Sequence, residues 1–251
     1  SGDISLTNLM VNPSANCISL TFTPAIDTGV VYTLTLNGMG DCSGNLVSNS
    51  LTQIILPHTG AVGDLIINEV LFNPFAGGDD FVEIYNNSEK YIDLYNWKLA
   101  NWDDGITDNF KAVTVHQLMG PGDYIVLTKD SSDVQSNYLN AIFGNFVQLA
   151  SLPTYSNDSG TVFLILPDLD STVCDYFRYD EDLQFALINN PDGISLERID
   201  FDRPTNESTN WHSASESAGW ATPGLENSQY YPGQITSDAV SVEPEIFSPD
   251  N

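Results

Sequence analysis

The sequence predicts an all-β sandwich. Three observations point there: two-residue alternation in runs rich in Val, Ile, Thr, Tyr and Phe, clusters of Gly, Pro, Asn and Asp between those runs, and scarce helical periodicity. Apolar residues make up 41% of the 251 positions, enough for a packed core.

The alternating runs fall at 17–22, 31–36, 81–85, 124–127, 161–166 and 194–199. Successive side chains of a strand point to opposite faces, so each run presents one apolar face to a core. Between them stand Asn73-Pro74, Gly77-Gly78, Gly120-Pro121-Gly122 and Pro191-Asp192-Gly193, which carry turn chemistry. One helical stretch is expected, over about 132–142, one or two turns long and capped by Asp130, Ser131 or Ser132. Composition divides the chain into three zones: 1–57 with four strand-like runs, 62–230 with the longest strand series, and 231–251, rich in Pro, Ser and acid.

Seven Lys and Arg stand against 34 Asp and Glu, a net charge of −27. Such a surface repels phosphate backbones and anionic membranes, so neither nucleic acid nor a membrane surface is an expected partner. No stretch reaches the roughly 20 apolar residues that span a bilayer. No basic-then-apolar leader opens the chain, so it reads as a mature or excised fragment, monomeric as such.

Three cysteines allow one internal disulfide. If runs 17–22 and 31–36 pair as a hairpin, Cys17 and Cys42 approach each other, and a Cys17–Cys42 bridge is expected. Cys174, in a separate strand over 172–179, is expected to stay a small buried thiol. The alternative is three free, buried cysteines.

Chemistry-bearing motifs are sparse. His58, His116 and His212 have no metal-ligand spacing, and no Gly-x-Ser-x-Gly, phosphate-loop or zinc-protease motif occurs. Asp103, Asp104 and Asp108 are weak calcium candidates: they supply some of the 6 to 8 oxygens calcium needs, but without the Gly and closing Glu of a calcium loop. Solvated turns are the alternative reading, and no cofactor is expected. Trp97 alternates in phase with Leu99 and reads as core. Trp102 and Trp220 lie in loop-like sequence, where a Trp beside carboxylates can stack on a sugar but is more often an inter-strand plug. Arg198 lies in a core-like strand and is expected to have a carboxylate partner, for which Glu83 is the candidate. The alternative is that both follow the pleat outward. Sequons at Asn86, Asn157 and Asn206 matter only in a eukaryotic secretory pathway.

The central zone resembles the lamin-tail domain family, an Ig-like β-sandwich. The resemblance rests on residues 65–74 (LIINEVLFNP), 80–86 (DFVEIYN), 92–99 (IDLYNWKL) and 120–127 (GPGDYIVL), and later on 193–199 (GISLERI), 210–214 (NWHSA) and 221–224 (ATPG), which are similar to the bacterial branch. Residues 130–160 depart from it as an insertion. The flanks resemble pieces of bacterial Ig-like domains: a partial Ig-like β segment at 1–57, and at 231–251 a linker leading into a further one. The resemblance implies no catalytic residues. It implies a non-catalytic adhesion, interaction or spacer module of a secreted or cell-surface bacterial protein, meeting protein or polysaccharide outside the cell. The second expectation is a calcium-dependent carbohydrate-binding module beside a catalytic domain elsewhere in the parent protein.

Overall fold

The computed structural model describes residues 4–12, 17–40, 43–47, 50–103, 105–168 and 170–233. The first strands are β1 (Ser5–Asn12), β2 (Cys17–Thr23), β3 (Tyr32–Leu36), β4 (Met39–Gly40), β5 (Leu46–Val47) and β6 (Ser50–Ile54). The central series is β7 (Leu65–Leu71), β8 (Phe81–Asn86), β9 (Ile92–Asp93), β10 (Lys98–Asp103), β11 (Ile106–Ala112), β12 (Leu118–Met119) and β13 (Tyr124–Thr128). After helix α1 (Ser131–Asn137) come β14 (Phe146–Gln148), β15 (Ser159–Ile165), β16 (Val173–Asp180), β17 (Leu196–Arg198) and β18 (Trp211–Ser213).

Two sheets form the sandwich, one in the order β14-β13-β8-β7-β17-β18 and the other β11-β10-β15-β16. Neighbours are antiparallel except β13 and β14. The inward pleat of one sheet supplies Leu65, Ile67, Val82 and Ile84, and that of the other Leu99, Val162, Leu164 and Phe177, all with almost no exposed surface. Burying each such side chain stabilises the fold by roughly 1.5–3 kcal/mol. Trp97 lies in this core, as its alternation with Leu99 predicts.

A third layer covers the outer face of the larger sheet. Leu71, Phe81 and Val126 point outward and pack under Val134 and Tyr138 from the α1 region and Ala221 from the C-terminal segment. The expected insertion at 130–160 is therefore built into the fold, because it contributes α1 and the edge strand β14. The helix is about two turns long, within the one or two expected, and stops at Asn137, short of the end of the 132–142 stretch. Asp130 caps it, accepting from the N–H groups of Ser132 at 2.9 Å and Asp133 at 3.3 Å. It ends because Tyr138 turns extended and sets its ring edge-on against Phe81.

The N-terminal pairing differs from expectation. β2 pairs with β1 and β3 with β6, both antiparallel, so runs 17–22 and 31–36 do not form a hairpin. Strand-like sequence at 5–12 and 50–54 supplies the true partners, which alternation in the two runs alone does not disclose. The argument for the Cys17–Cys42 bridge thereby loses its premise, while Cys42 and the Cys17 side chain lie outside the described residues. Cys174 is free and buried as expected, with its Sγ 3.3 Å from the Leu65 carbonyl, and burial pushes its thiol up to about 11.

Candidate functional site: an enclosed row of three glutamates

The sandwich spends its most unusual chemistry on one spot. In the register of the larger sheet, Glu83 on β8 stands opposite Glu69 on β7, and Glu69 opposite Glu197 on β17. All three side chains therefore leave the same outer face, in a row across three adjacent strands. All three are 0% exposed. Like charges so placed repel, and burial without partners would cost several kcal/mol per ion. The surrounding donors explain why the row exists at all.

A bulge between Ile67 and Glu69 inserts Asn68 into β7. In a regular strand Asn68 and Glu69 would face opposite ways, and the extra residue lets both reach the outer cluster. Asn68 Nδ2 donates to Glu83 Oε1 at 2.7 Å and to Asn227 Oδ1 at 2.8 Å. Glu69 accepts from the Ser195 hydroxyl and from the Thr222 N–H at 2.9 Å. Glu83 accepts the Gly224 N–H. Glu197 accepts from the hydroxyls of Thr222 and Ser228, both at 2.7 Å, and from the Gln229 N–H at 2.8 Å.

Residues 222–229 thus act as a strap whose backbone and hydroxyl groups close over the row. Gly224 fits here for a definite reason. Its φ is +82°, and a Cβ would come within 3.1 Å of the Asn145 side chain. The row is charge-poor despite its composition. Burial, then the charge of Glu197, pushes Glu69 up to about 8. Burial and the charge of Glu69 hold Glu83 well above the usual carboxylate range, and burial raises Glu197 as well. A protonated Glu69 can donate to the Thr222 hydroxyl 3.3 Å away, which in turn donates to Glu197, so one chain of hydrogen bonds links the two.

Glu83 and Arg198 are not brought together. Arg198 follows Glu197 directly, so the pleat sends it to the other face of the sheet. There it is 2% exposed and meets Asp175 at 3.5 Å. All five of its N–H groups find acceptors. Nε bonds the Asp200 carbonyl, Nη1 the Ile67 carbonyl and the Thr205 hydroxyl, and Nη2 the Phe201 and Arg203 carbonyls, the last at 2.6 Å. Arg198 is thus the frame on which the loop after β17 is wound. Burial raises Asp175 and lowers Arg198, outweighing their mutual attraction, as expected for a pair held chiefly by its other hydrogen bonds. Arg198→Ala is expected to lower the unfolding free energy by about 3–5 kcal/mol, and Arg198→Lys to recover little of it, because a point charge cannot span five acceptors. Urea denaturation measures this, and a loss under about 1 kcal/mol would remove Arg198 from that role.

Asp108 lies on β11, while Asp104 and the Asp103 side chain fall outside the described residues. Among the described residues, no three His, Cys, Asp or Glu side chains are grouped as a metal would need. His116 meets Asp93 at 2.6 Å, away from the row. Asn86 of the first sequon is 1% exposed, with its amide nitrogen bonded to the Lys90 and Gly120 carbonyls, so that position is closed to a glycan.

Sequence reasoning singled out Glu83 but missed Glu69 and Glu197. The available signal was a Glu within an otherwise apolar or core-like run, as in Asn68-Glu69-Val70 and Leu196-Glu197-Arg198. The stretches 65–74, 80–86, 193–199 and 221–224, far apart in the chain, all meet at this row. Residues 58–180 match the family model described as Lamin Tail Domain. No curated protein matches the chain.

Proposed function

Starting from a chain whose residues 58–180 are a lamin tail domain, an Ig-like fold, we propose that it serves as a non-catalytic interaction or spacer module of a secreted or cell-surface bacterial protein. One observation carries this reading. The carboxylates best placed for acid–base work, the row of Glu69, Glu83 and Glu197, are enclosed and hydrogen-bonded to the chain's own groups, so they serve to close the fold. A substrate could reach none of them without displacing the strap.

Charge supports the same reading against nucleic acid as partner. Four of the seven basic residues, Lys90, Lys129, Arg198 and Arg203, already pair with carboxylates of the chain, leaving few to release counterions from a phosphate backbone. Among the described residues, no helix is long and apolar enough to cross a membrane. A second reading, a calcium-dependent carbohydrate-binding module, is favoured by Trp102. It is 52% exposed at the end of β10, beside the strand that carries Asp108.

A screen of ester, phosphate and glycoside substrates tests the proposal. The expected result is no turnover. Turnover abolished by substituting a single Asp, Glu or His would overturn it.

A further inference from the structure

Trp220 adopts φ +72°, in the left-handed region that bulky side chains rarely enter and that surrounding structure must hold. Two backbone bonds hold it. The Ser195 N–H donates to the Trp220 carbonyl at 3.0 Å, and the Trp220 N–H donates to the Ser215 carbonyl at 3.1 Å. Ser195 is anchored in turn by its hydroxyl on Glu69. The glutamate row therefore fixes the loop that presents this indole.

The half-buried Trp220 stands between two surface grooves. The first, about 270 Å³, is lined by Phe185, Leu187, Ile188, His212, Glu216 and Gln229. The second, about 400 Å³, shares Leu187 and Ile188 with the first and adds Phe75, Asn189, Asn190 and Asp192. The second is at the small end of the range for small-ligand sites, roughly 300–1,000 Å³, and the first falls just below it. Phe185 and Phe75 expose 46% and 41% of their surface.

These linings select a ligand class. None of the seven Lys and Arg residues lines either groove, so neither offers an anion a permanent positive charge. An aliphatic chain would leave the amides and carboxylates of the rims without partners. A sugar ring offers C–H faces to aromatic rings and a rim of hydroxyls to amides, carboxylates and imidazole. We infer that Trp220 is the stacking platform of a binding site for a neutral oligosaccharide, with sugar units accommodated on both sides of the indole. The site rests on the interaction-module reading, gives that module a ligand class, and requires no metal.

Isothermal titration against neutral hexasaccharides of glucose, mannose, xylose and N-acetylglucosamine tests it, with an oligogalacturonate as the anionic comparison. Trp220→Gly is the informative variant. Glycine suits the left-handed backbone, so the fold should persist, by circular dichroism and thermal midpoint, while the ring is gone. At least one neutral hexasaccharide is expected to bind, Trp220→Gly to weaken it about tenfold or more, and Tyr95→Ala and EDTA to leave it unchanged. Absence of neutral-sugar binding, binding that survives Trp220→Gly, loss in EDTA, or binding of oligogalacturonate alone would each overturn the site. Trp220-dependent capture of unstructured peptides without sugar binding would overturn it in favour of a polypeptide ligand. Cleavage of a bound hexasaccharide would instead sink the non-catalytic reading, while the groove would stand if Trp220→Gly still weakened binding.

Discussion

Ending the chain at Asp180 is expected to abolish cooperative unfolding, whereas ending it at Gly233 leaves a cooperatively folded protein. The cut at Asp180 coincides with the end of the family match, yet β17, β18 and the strap all lie beyond it. It removes Leu196 and Trp211, 0% and 4% exposed, from the main core. Losing a buried Leu costs about 2–5 kcal/mol and a buried Trp about 3–5 kcal/mol. It also strips β7 of its partner strand and leaves Glu69 and Glu83 without the donors Ser195, Thr222 and Gly224. The sum is comparable to the whole stability of an ordinary domain, about 5–15 kcal/mol. The chain ending at Gly233 keeps every contact described above. Urea unfolding followed by tryptophan fluorescence and circular dichroism distinguishes the two. A sigmoidal transition in the shorter chain, with a midpoint near that of the longer one, would mean that residues 181–233 do not complete the fold.

The second large effect is on pH dependence. Glu69 is expected to titrate near 8 in the folded chain and near the ordinary glutamate value of 4.5 when unfolded. The folded state therefore keeps a proton that the unfolded state has released. Its contribution is fully present below about pH 4.5 and is lost as pH rises through about 8, with a slope near 1.4 kcal/mol per pH unit for one proton. Asp80, pushed up to about 7 by burial and by Asp79, acts in the same direction. Unfolding free energy should thus fall between pH 5 and 8. Repulsion at a net charge of −27 also favours the acidic side, so a variant is needed to separate the two. Glu69→Gln imitates the protonated carboxyl, keeps an acceptor for Ser195 and Thr222, and should flatten the slope while matching or exceeding the parent at pH 8. Glu69→Ala orphans both donors and should cost about 3 kcal/mol below about pH 5, and less as pH rises, because it too removes the titrating carboxyl. An unchanged slope in Glu69→Gln would show that the row does not hold the proton.

The sequence by itself determined the fold class, the longer strands among the alternating runs and their inward faces. Alternation placed Trp97 and Cys174 in the core, turn residues separated the strands, and Asp130 was one of three caps offered for the helix that it does cap. What it left open follows from a single limitation. A two-residue period says which side chains share a face of their own strand, and nothing about the strand alongside or the layer above. β2 therefore found β1 and not β3, and Arg198 found Asp175, on the opposite sheet, and not Glu83. Read one at a time, Glu83 suggested a partner for Arg198, and Glu69 and Glu197 carried no signal that they belong with it. Only the tertiary structure puts them in one row, because register joins strands that are 14 and more than 100 residues apart. Only the tertiary structure closes that row, because several of its donors are backbone N–H groups, at Thr222, Gly224 and Gln229, and a backbone N–H leaves no mark in a sequence.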